Sequence, residues 1–389
     1  MSGPGLRTLS VPSGVDALSV LGDLQSALDG SGPAVAPHAV SAPRGQLPDD
    51  VGDLPPDVAL IVGTSGSTGR PKLAMLTGAA LRASAGATHQ RLGGQGQWLL
   101  ALPAHHIAGI QVLVRSLVAD TVPICMNLGA GFTPAAFARA TADISSNARA
   151  YTAIVPTQLV RLLASAEGCQ ALTRFTAVLL GGSAAPASLI TRAKSFGVRV
   201  VTTYGMSETA GGCVYEGQAL EVSSVRLEDD GRIRLGGATL ALGYLGEPEL
   251  SAQTFSQDAD GTHWFRTDDV GHLEGGCLVV DARIDDLINT GGLKVVPTVV
   301  EAALIGLDTI AEAIVVGSAD PEWGQVVSAA VVVAQGSSPP SLSQVRDQLR
   351  GVVADHGLPR RLMTVAELPV RGPGKPDRAA VRRLFEHSG

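Results

Sequence analysis

The sequence predicts an α/β protein with a large N-terminal domain and a small α+β C-terminal domain. Short apolar runs such as PDVALIV and FTAVLLGG alternate with amphipathic segments, which is typical of parallel or mixed sheets layered with helices. Beyond about residue 210 the helices become sparse. The segment DGRIRLGGATLALGYLG has the strand-and-turn character of a small β-barrel-like part or an antiparallel sheet.

The expected elements follow in order along the N-terminal domain. Residues 1–56 are rich in Pro, Gly, Ser and Asp, with one helix expected around 14–28. PDVALIV predicts a buried strand that ends at a glycine-rich loop, and a helix is expected over 77–92. RAYTAIV, FTAVLLGG and VRVVTTYG predict strands, while PTQLVRLLAS and APASLITRAKSFG predict the helices between them. Ligands gather at the carboxyl ends of such strands, where the polar loops 63–72, 181–186 and 204–209 lie.

A second domain is expected to begin near residue 285. VVDARIDDLINTGGLKVVPTVVEAAL contains a turn, a charged pair and a Gly-Gly step before a helix, with Pro297 near the first turn of that helix. The remainder alternates helix, strand, strand, helix and strand. We therefore predict domains over residues 1–284 and 285–389, joined by a hinge.

Composition limits the class of protein. A net charge of −7 without a basic block disfavours nucleic acid as a partner. The four cysteines are scattered, with no C-x-x-C pair, which indicates a reducing cytoplasm and disfavours a zinc site. The most apolar stretch, residues 98–119, contains two histidines, a glutamine and an arginine, so no membrane insertion is expected. The start MSGPGLRTLSVPSG has no apolar signal-peptide core. A homodimer is left open.

The segment TSGSTGRPK, residues 64–72, carries the strongest single signal. Its glycines allow a ligand close to the backbone, its hydroxyls can donate to phosphate oxygens, and Lys72 adds a cation. Neither the Walker A spacing nor G-x-G-x-x-G fits it. The alternative is a flexible surface loop. Lysine is rare here, with four (Lys72, Lys194, Lys294, Lys375) among 29 basic residues, which favours a function for Lys72.

Three further stretches could carry chemistry. In TTYGMSETAGG, Tyr204 could stack on a flat ligand and Glu208 could hold Mg²⁺ beside phosphates. In WFRTDDVGHL and VVDARIDDLINTGG, Asp269 could accept ribose hydroxyls and Arg283 could reach phosphate or ribose. In RGPGKPDRAAVRRLF, Lys375 stands at a turn before a helix. Their alternatives are a strand-to-loop transition, solvated turns and a surface lysine.

Together these motifs resemble the adenylate-forming superfamily of acyl-CoA synthetases, adenylation domains and firefly-type luciferases. The resemblance covers nearly the whole chain in the family's order, through TSGSTGRPK, LPAHHIAG, LLGGSAAP, YGMSET, RTDD, RIDDLI and PGK. The stretches TYGMSETAGGCVYEG and INTGGLKV are most similar to ligases for an aromatic succinyl acid. The resemblance implies that a carboxylic acid and ATP form an acyl-adenylate, which CoA then converts to a thioester.

The resemblance also implies roles for individual residues. Lys375, His106 and Glu208 would be catalytic, with His106 gating the acyl pocket, and Glu208 and Thr64 would hold Mg²⁺. Asp285 would be the hinge, and Gly291, Gly292 and Lys294 would approach CoA; a structural His106 and a solvated Lys294 are the alternatives. ATP would be bound by Thr64, Ser65, Gly66, Ser67, Thr68, Gly69, Lys72, Gly181, Gly182, Ser183, Tyr204, Gly205, Met206, Ser207, Thr209, Asp269 and Arg283.

Some positions depart from the family pattern or leave a choice open. Leu73, Asp268 and Ala282 each replace a usual glycine, and the extra carboxylate of Asp268 makes the choice of ribose ligand ambiguous. Arg115, in the apolar stretch QVLVRSLVA, is a candidate to receive a second substrate carboxylate; the alternative is the outer face of a helix. A ligase for another acid, a carrier-loading adenylation enzyme and a non-catalytic nucleotide-binding protein are the competing functions.

Overall fold

The computed structural model describes residues 5–41, 47, 51–64, 72–145, 147–371 and 375–386, with Arg371 and Lys375 described by their backbone alone. The α/β class predicted from the sequence is confirmed. The chain divides into two compact units, the first of residues 1–226, 234–267 and 275–278 and the second of residues 227–233, 268–274 and 279–389. The domain boundary near residue 284 stays a prediction.

The elements up to residue 283 are given in chain order. The strands are β1 (Leu6–Val11), β2 (Ala34–Ala39), β3 (Val58–Gly63), β4 (Leu73–Thr77), β5 (Gln97–Leu100), β6 (Ile124–Cys125), β7 (Ala150–Ile154), β8 (Ala177–Leu180), β9 (Val200–Met206), β10 (Gly211–Tyr215), β11 (Gln218–Ala219), β12 (Ser223–Leu227), β13 (Arg232–Gly237), β14 (Gly243–Tyr244), β15 (Phe255–Gln257), β16 (His263–Glu274) and β17 (Cys277–Arg283). The helices are α1 (Leu21–Leu28), α2 (Gly78–Leu92), α3 (Ile107–Val118), α4 (Pro134–Ala142), α5 (Pro156–Leu163), α6 (Ala166–Leu172), α7 (Ala187–Ser195) and α8 (Pro248–Thr254).

The elements after residue 283 are given in the same way. The strands are β18 (Ile288–Thr290), β19 (Leu293–Val295), β20 (Ile310–Asp320), β21 (Gly324–Val333), β22 (Arg361–Thr364), β23 (Val370–Arg371) and β24 (Lys375–Pro376), and the helices are α9 (Pro297–Ile305), α10 (Leu342–Leu349) and α11 (Arg378–Glu386). Short 3₁₀ turns cover Gly14–Val20, Ser207–Thr209, Ile284–Asp286 and Asp355–Gly357.

Two mixed sheets form the body of the first unit. One has the order β1-β2-β3-β4-β14, and the other has the order β11-β10-β9-β8-β7-β5-β6. In the larger sheet β6, β5, β7, β8 and β9 are parallel, and β10 and β11 complete it as antiparallel strands. Of the segment predicted as barrel-like, residues 230–246, β14 belongs to the first sheet, whereas β13 belongs to a sheet of order β12-β13-β16-β15, with β17 paired to β16. The division between the units falls within the strands of this sheet.

The larger sheet is buried on both faces, as the uninterrupted apolar strands predict. Along β5, Trp98 and Leu100 pack into the core shared with the first sheet and helices α1 to α3, whereas Leu99 packs into the core formed with α4 to α7. The side chains alternate because successive residues of a strand point to opposite faces. The residues of β7 and β8 divide between the same two cores.

Local signals explain helix α2 but not strand β4, which precedes it. The Thr77 hydroxyl accepts a 3.0 Å hydrogen bond from the Ala80 N–H and caps α2, and Gly93 ends the helix with φ of 100°. Strand β4 was not expected from the sequence, which led directly from loop to helix. Its backbone pairs with β3 on one side and β14 on the other, and the side chains of Ala74 and Leu76 are buried in the core on one face of the sheet.

The second unit is an antiparallel sheet, β19-β18-β21-β20, with β22 added parallel to β21. Pro297 is the first residue of α9, as predicted, and α9 and α11 pack against β20. One core contains Val315, Ala329 and Leu304, and the opposite face contains Val316, Ala330, Val381 and Phe385.

The apolar stretch of residues 98–119 forms most of β5 and the twelve-residue helix α3. Within the part of the chain that the structure describes, no helix is long and apolar enough to cross a membrane.

Candidate active site

The ends of the glycine-rich loop are held by the hairpin of β3 and β4. Gly63 pairs with Leu73, and the Thr64 N–H donates a 2.8 Å hydrogen bond to the Lys72 carbonyl. This backbone bond brings the two predicted residues at the loop ends side by side. The residues between them, including Ser65, Gly66, Ser67, Thr68 and Gly69, lie outside the described part of the chain.

The loop that follows β9 is built from its own hydrogen bonds. The Thr209 hydroxyl accepts from the Met206 N–H at 2.9 Å and donates to the Gly211 carbonyl at 2.7 Å. Ser207, Glu208 and Thr209 form a buried 3₁₀ turn, which Ala210 ends in the left-handed conformation with φ of 51°. A non-glycine residue at positive φ is uncommon and needs support from its surroundings.

Two glycines allow the close approach of neighbouring strands at this site. A Cβ on Gly205 would lie 2.1 Å from the Gly211 carbonyl oxygen, and the φ of Gly205 is 156°. Gly181 follows β8, and a Cβ there would lie 2.4 Å from the Thr203 hydroxyl oxygen. Gly182 has φ of 85°, and Ser183 is half-buried. Since β8 and β9 are parallel neighbours, these glycines and the half-buried Tyr204 lie at adjoining carboxyl strand ends.

Hydrogen bonds join this edge of the larger sheet to the first sheet. The Ser207 hydroxyl donates to the Gly63 carbonyl at 3.1 Å, immediately before the glycine-rich loop. The Glu208 carbonyl accepts a 2.8 Å hydrogen bond from the Ala241 N–H. The loop bases that the sequence assigned to phosphate and to Mg²⁺ are therefore in direct contact, although about 140 residues separate them in the chain.

Tyr244, which belongs to none of the predicted motifs, lies between Lys72 and Glu208. Its hydroxyl donates a 2.8 Å hydrogen bond to Glu208 Oε1, and the Lys72 ammonium lies 5.3 Å from the centre of its ring. Tyr244 and Glu208 are 3% and 6% exposed. The segment LALGYLG contains no motif that indicates this contact, because the pairing of β14 with β4 creates it.

Helix α3, which begins at the predicted acyl-gate residue His106, supports the loop that follows β9. His106 is the N-cap residue of α3; its side chain is exposed, and its ring lies 4.3 Å from that of His105. One turn later, Gln111 Nε2 donates to the Ala210 carbonyl at 2.7 Å. The Ser84 hydroxyl of α2 donates to the same carbonyl at 3.1 Å. Two buried side chains therefore hold the left-handed residue that ends the Glu208 turn.

Arg115 is buried in the core of the first unit, so its predicted alternative position on an outer helix face is wrong. It is 3% exposed, its guanidinium lies 4.9 Å over the Trp98 ring, and Nη2 donates to the Tyr215 hydroxyl at 3.4 Å. Burial lowers the pKa of Arg115. The electrostatic interaction with Tyr215 acts in the opposite direction and is the smaller effect. Periodicity could not reveal this burial because α2 and the larger sheet cover both sides of α3.

His89 lies next to this cation and is expected to make the protein sensitive to acid. Its Nε2 accepts a 3.1 Å hydrogen bond from Trp98 Nε1, and burial, with a smaller contribution from Arg115, lowers its pKa from 6.5 to about 4. The folded protein thus binds this proton less readily than the unfolded chain. The stabilisation is complete above pH 6.5 and is lost as the pH falls from 6.5 toward 4.

The expected result is a smaller loss of unfolding free energy between pH 7 and pH 5 in His89→Gln than in the unchanged protein. Glutamine can still accept the Trp98 N–H but does not titrate in this range. Urea denaturation at several pH values measures the effect, and His356→Gln, an exposed histidine, is the matched control. Equal pH dependence of all three proteins would contradict the prediction.

The second unit carries the acidic pair predicted to bind ribose. The two oxygens of Asp268 form ion pairs with Arg232 Nη2 at 3.5 Å and with Arg283 Nη2 at 3.6 Å. Neighbouring residues of β16 point to opposite faces, so Asp269 is directed away from the Asp268 side chain. The structure therefore separates the environments of two carboxylates that the sequence could not distinguish.

The other predicted residues of this unit are also placed. Asp285 is exposed in the turn Ile284–Asp286, and Gly291 and Gly292 form the turn between β18 and β19, with φ of 58° and 83°. Lys294 is exposed on β19. The backbone of Lys375 pairs with Arg371, and its side chain lies outside the described residues.

An arginine anchors the segment that carries Lys375. Arg378 contacts both carboxylate oxygens of Glu301, and its Nη1 donates to the Val315 carbonyl at 2.7 Å. Its Nε lies 3.4 Å from Asp286 Oδ2, next to the predicted hinge residue. The start of α11 is therefore joined to α9, to β20 and to the Ile284–Asp286 turn within this unit.

The arrangement of sheets and the residues that match a known family are those of an ATP-using adenylate-forming enzyme. Residues 14–244 match the family described as AMP-binding enzyme, and residues 299–375 match the AMP-binding enzyme C-terminal domain. The chain therefore belongs to the AMP-binding enzyme family.

Named relatives and solved structures refine this similarity. The chain is 45% identical over 386 residues to a probable 2-succinylbenzoate–CoA ligase from Mycobacterium tuberculosis, covering 98% of each chain. It is 32% identical to a 2-succinylbenzoate–CoA ligase from Bacillus licheniformis, covering 85% of this chain and 69% of the relative. The fold matches o-succinylbenzoate-CoA synthetase from Bacillus subtilis, solved with an acyl-adenylate, with TM-score 0.71, 24% identity and coverage of 93% and 81%. It also matches an amide bond synthetase from Marinactinospora thermotolerans, with TM-score 0.76, 26% identity and coverage of 94% and 78%.

Proposed function

We propose that this protein is an AMP-forming ligase that joins 2-succinylbenzoate to CoA in menaquinone biosynthesis. The observation that carries the proposal is the 45% identity to the probable 2-succinylbenzoate–CoA ligase across 98% of both chains. The reaction has two steps. ATP first activates one carboxylate of the acid, and the thiol of CoA then takes the acyl group.

In the first step a carboxylate oxygen bonds to the α-phosphorus of ATP, and the bond to pyrophosphate breaks. The two reacting groups are both anionic, so positive charge at their meeting point stabilises the transition state. The family resemblance assigns that charge to Lys375. Lys72 and Thr64, held at the base of the glycine-rich loop, support binding of the β- and γ-phosphates, together with Ser65, Gly66, Ser67, Thr68 and Gly69.

The adenosine part of ATP is assigned to the loops after β8 and β9. Tyr204 supplies a flat ring for the adenine, Gly205, Met206, Ser207 and Thr209 continue its binding loop, and Gly181, Gly182 and Ser183 border it. In the second unit, Asp268 is already paired with two arginines. The family resemblance assigns the ribose hydroxyls to Asp269 and places Arg283 near the ribose, where its guanidinium pairs with Asp268.

The donors at Glu208 and Thr64 fit Mg²⁺, which prefers hard oxygen ligands. Glu208 places a carboxylate at a position of 6% exposure beside the base of the glycine-rich loop, and a carboxylate oxygen is a ligand that Mg²⁺ accepts. When bound, Mg²⁺ supplies charge neutralisation for the phosphates. Glu208 and Thr64 would hold it, and the Tyr244 hydroxyl donates a hydrogen bond to Glu208 Oε1.

In the second step the sulfur of CoA bonds to the acyl carbon, and the bond between that carbon and AMP breaks. We assign the gating of the acyl pocket to His106 and the change of domain orientation to a hinge at Asp285. Gly291 and Gly292 then approach the reacting groups, and Lys294 meets a CoA phosphate. Arg115 stays the sequence-based candidate for the second carboxylate, although its 3% exposure favours a structural role.

The proposal is tested by following two products in sequence. Pyrophosphate should be released from ATP when 2-succinylbenzoate is added, and AMP should be released only after CoA follows. Benzoate and succinate, each carrying half of the substrate's chemistry, are the control acids. Adenylation that does not respond to CoA would indicate carrier loading, and no turnover with any acid would overturn the proposal.

A cytoplasmic location and a homodimer stay predictions.

A further inference from the structure

Tyr244 is held in a single orientation by contacts that do not involve substrate. Its N–H donates a 2.8 Å hydrogen bond to the Ser251 hydroxyl, and its backbone pairs with Ala74 of β4. Its ring meets Phe255 edge-on, with centroids 5.5 Å apart. At 3% exposure the side chain has little room for another rotamer. The tyrosine is therefore a rigid part of the first unit.

The hydroxyl of this rigid ring determines the position of one oxygen of Glu208. A buried carboxylate requires hydrogen-bond donors, and a donor to an ionised group forms one of the stronger hydrogen bonds in proteins. The 2.8 Å distance from the Tyr244 hydroxyl to Oε1 meets that requirement. Because the carboxylate is planar, holding Oε1 also constrains the direction in which Oε2 points.

The same ring presents its face to Lys72. An ammonium 5.3 Å from the centre of an aromatic ring lies within the range of a cation–π interaction. Lysine has a flexible side chain with four rotatable carbons, so a preferred resting place restricts where its charge lies. One tyrosine therefore contacts an anion through its hydroxyl and a cation through its ring.

We propose that Tyr244 is a positioning residue that aligns Glu208 for Mg²⁺ and Lys72 for the ATP phosphates. This inference rests on the proposed function, because those two ligands are assigned there. Tyr244 itself touches neither reacting atom. Its hydroxyl acts through Glu208 and its ring acts through Lys72, so the two effects can be separated by substitution.

The test compares Tyr244→Phe, which removes only the hydroxyl, with Tyr244→Leu, which removes the ring as well. Tyr244→Phe should raise the Mg²⁺ concentration needed for half-maximal pyrophosphate release about 10-fold, as loss of a partner behind a metal ligand typically does. Its KM for ATP at saturating Mg²⁺ should stay unchanged. Tyr244→Leu should raise both quantities. Tyr151→Phe is the matched control, since it removes a buried hydroxyl that bonds to the Gly94 carbonyl.

A binding measurement separates this inference from the proposed function. Calorimetric titration of Mn²⁺ into protein saturated with a non-hydrolysable ATP analogue reports metal affinity without turnover. The Tyr244→Phe penalty should disappear in a Glu208→Gln background, because the hydroxyl acts through that carboxylate. A penalty that persists there, or a Tyr244→Phe protein equal to Tyr151→Phe, would overturn the inference. An unchanged protein that binds Mn²⁺ as described but activates no acid would contradict only the proposed function.

Discussion

Lys375→Ala is expected to lower acyl-adenylate formation by on the order of 10²–10³-fold, the usual effect of removing one group that stabilises transition-state charge. Thioester formation from a preformed adenylate and CoA should be retained. The reason is that only the first step brings a carboxylate against a phosphate, and only there is a cation needed between two anions. Pyrophosphate release measures the first step, and single-turnover conversion of supplied acyl-adenylate measures the second.

The chain offers a matched control for this lysine. Lys194 is exposed in the last turn of α7, and Lys194→Ala removes the same charge from the first unit. It should leave both steps unchanged. If Lys375→Ala slows the two steps equally, the residue has no special role in adenylation, and the proposed mechanism fails. If it slows neither, the family resemblance at PGK does not carry over to function.

Gly205→Ala is expected to disrupt the first unit, at a cost on the order of 3 kcal/mol from overpacking and backbone strain combined. The added methyl group would lie 2.1 Å from the Gly211 carbonyl oxygen and 2.7 Å from the Gly212 Cα, both backbone atoms that cannot rotate away. Its φ of 156° adds strain. The adjoining Glu208 turn would shift, so adenylation should be lost even in protein that still folds.

A second glycine should respond in the opposite direction. Gly86 is exposed in the middle of α2, and a Cβ there meets no atom within 4 Å. Gly86→Ala should therefore stabilise the protein by about 0.5–1 kcal/mol through helix propensity. Urea denaturation of both variants, with pyrophosphate release alongside, checks the pair. If the Gly205→Ala protein is as stable and active as the unchanged protein, the prediction is wrong, and β9 and β10 can move apart at Gly205.

The regular elements were predictable where local chemistry is sufficient. The Thr77 cap and the Gly93 end of α2 are visible in the sequence, and so is Pro297 at the start of α9. Strand β4 was missed because it has only five residues between a loop and a helix cap. Over so short a segment, the alternation of buried and half-buried side chains does not predict a strand. Its identity depends on β3 and β14, which lie on both sides of it.

The same distinction applies to the candidate site. Thr64, Lys72 and Glu208 were named from motifs because glycine, hydroxyl and charge occur together in short segments. Tyr244 was not named from a motif, because it contacts Glu208 and Lys72, which lie about 36 and 170 positions away in the chain. Arg115 shows the converse case, in which an apolar helix with one cation is consistent with several positions until the neighbouring sheet and helix are known.

By itself the sequence determined the α/β class, the order of the motifs and the chemical groups available to bind phosphate, because these depend on residue type and short spacing. Tertiary structure decided which groups meet. It placed Ser207 against Gly63, put the Tyr244 hydroxyl on Glu208, buried Arg115 and separated the surroundings of Asp268 and Asp269. The physical reason is that hydrogen bonds and ion pairs act over a few ångströms in space, and strand pairing brings together residues that local sequence patterns cannot relate.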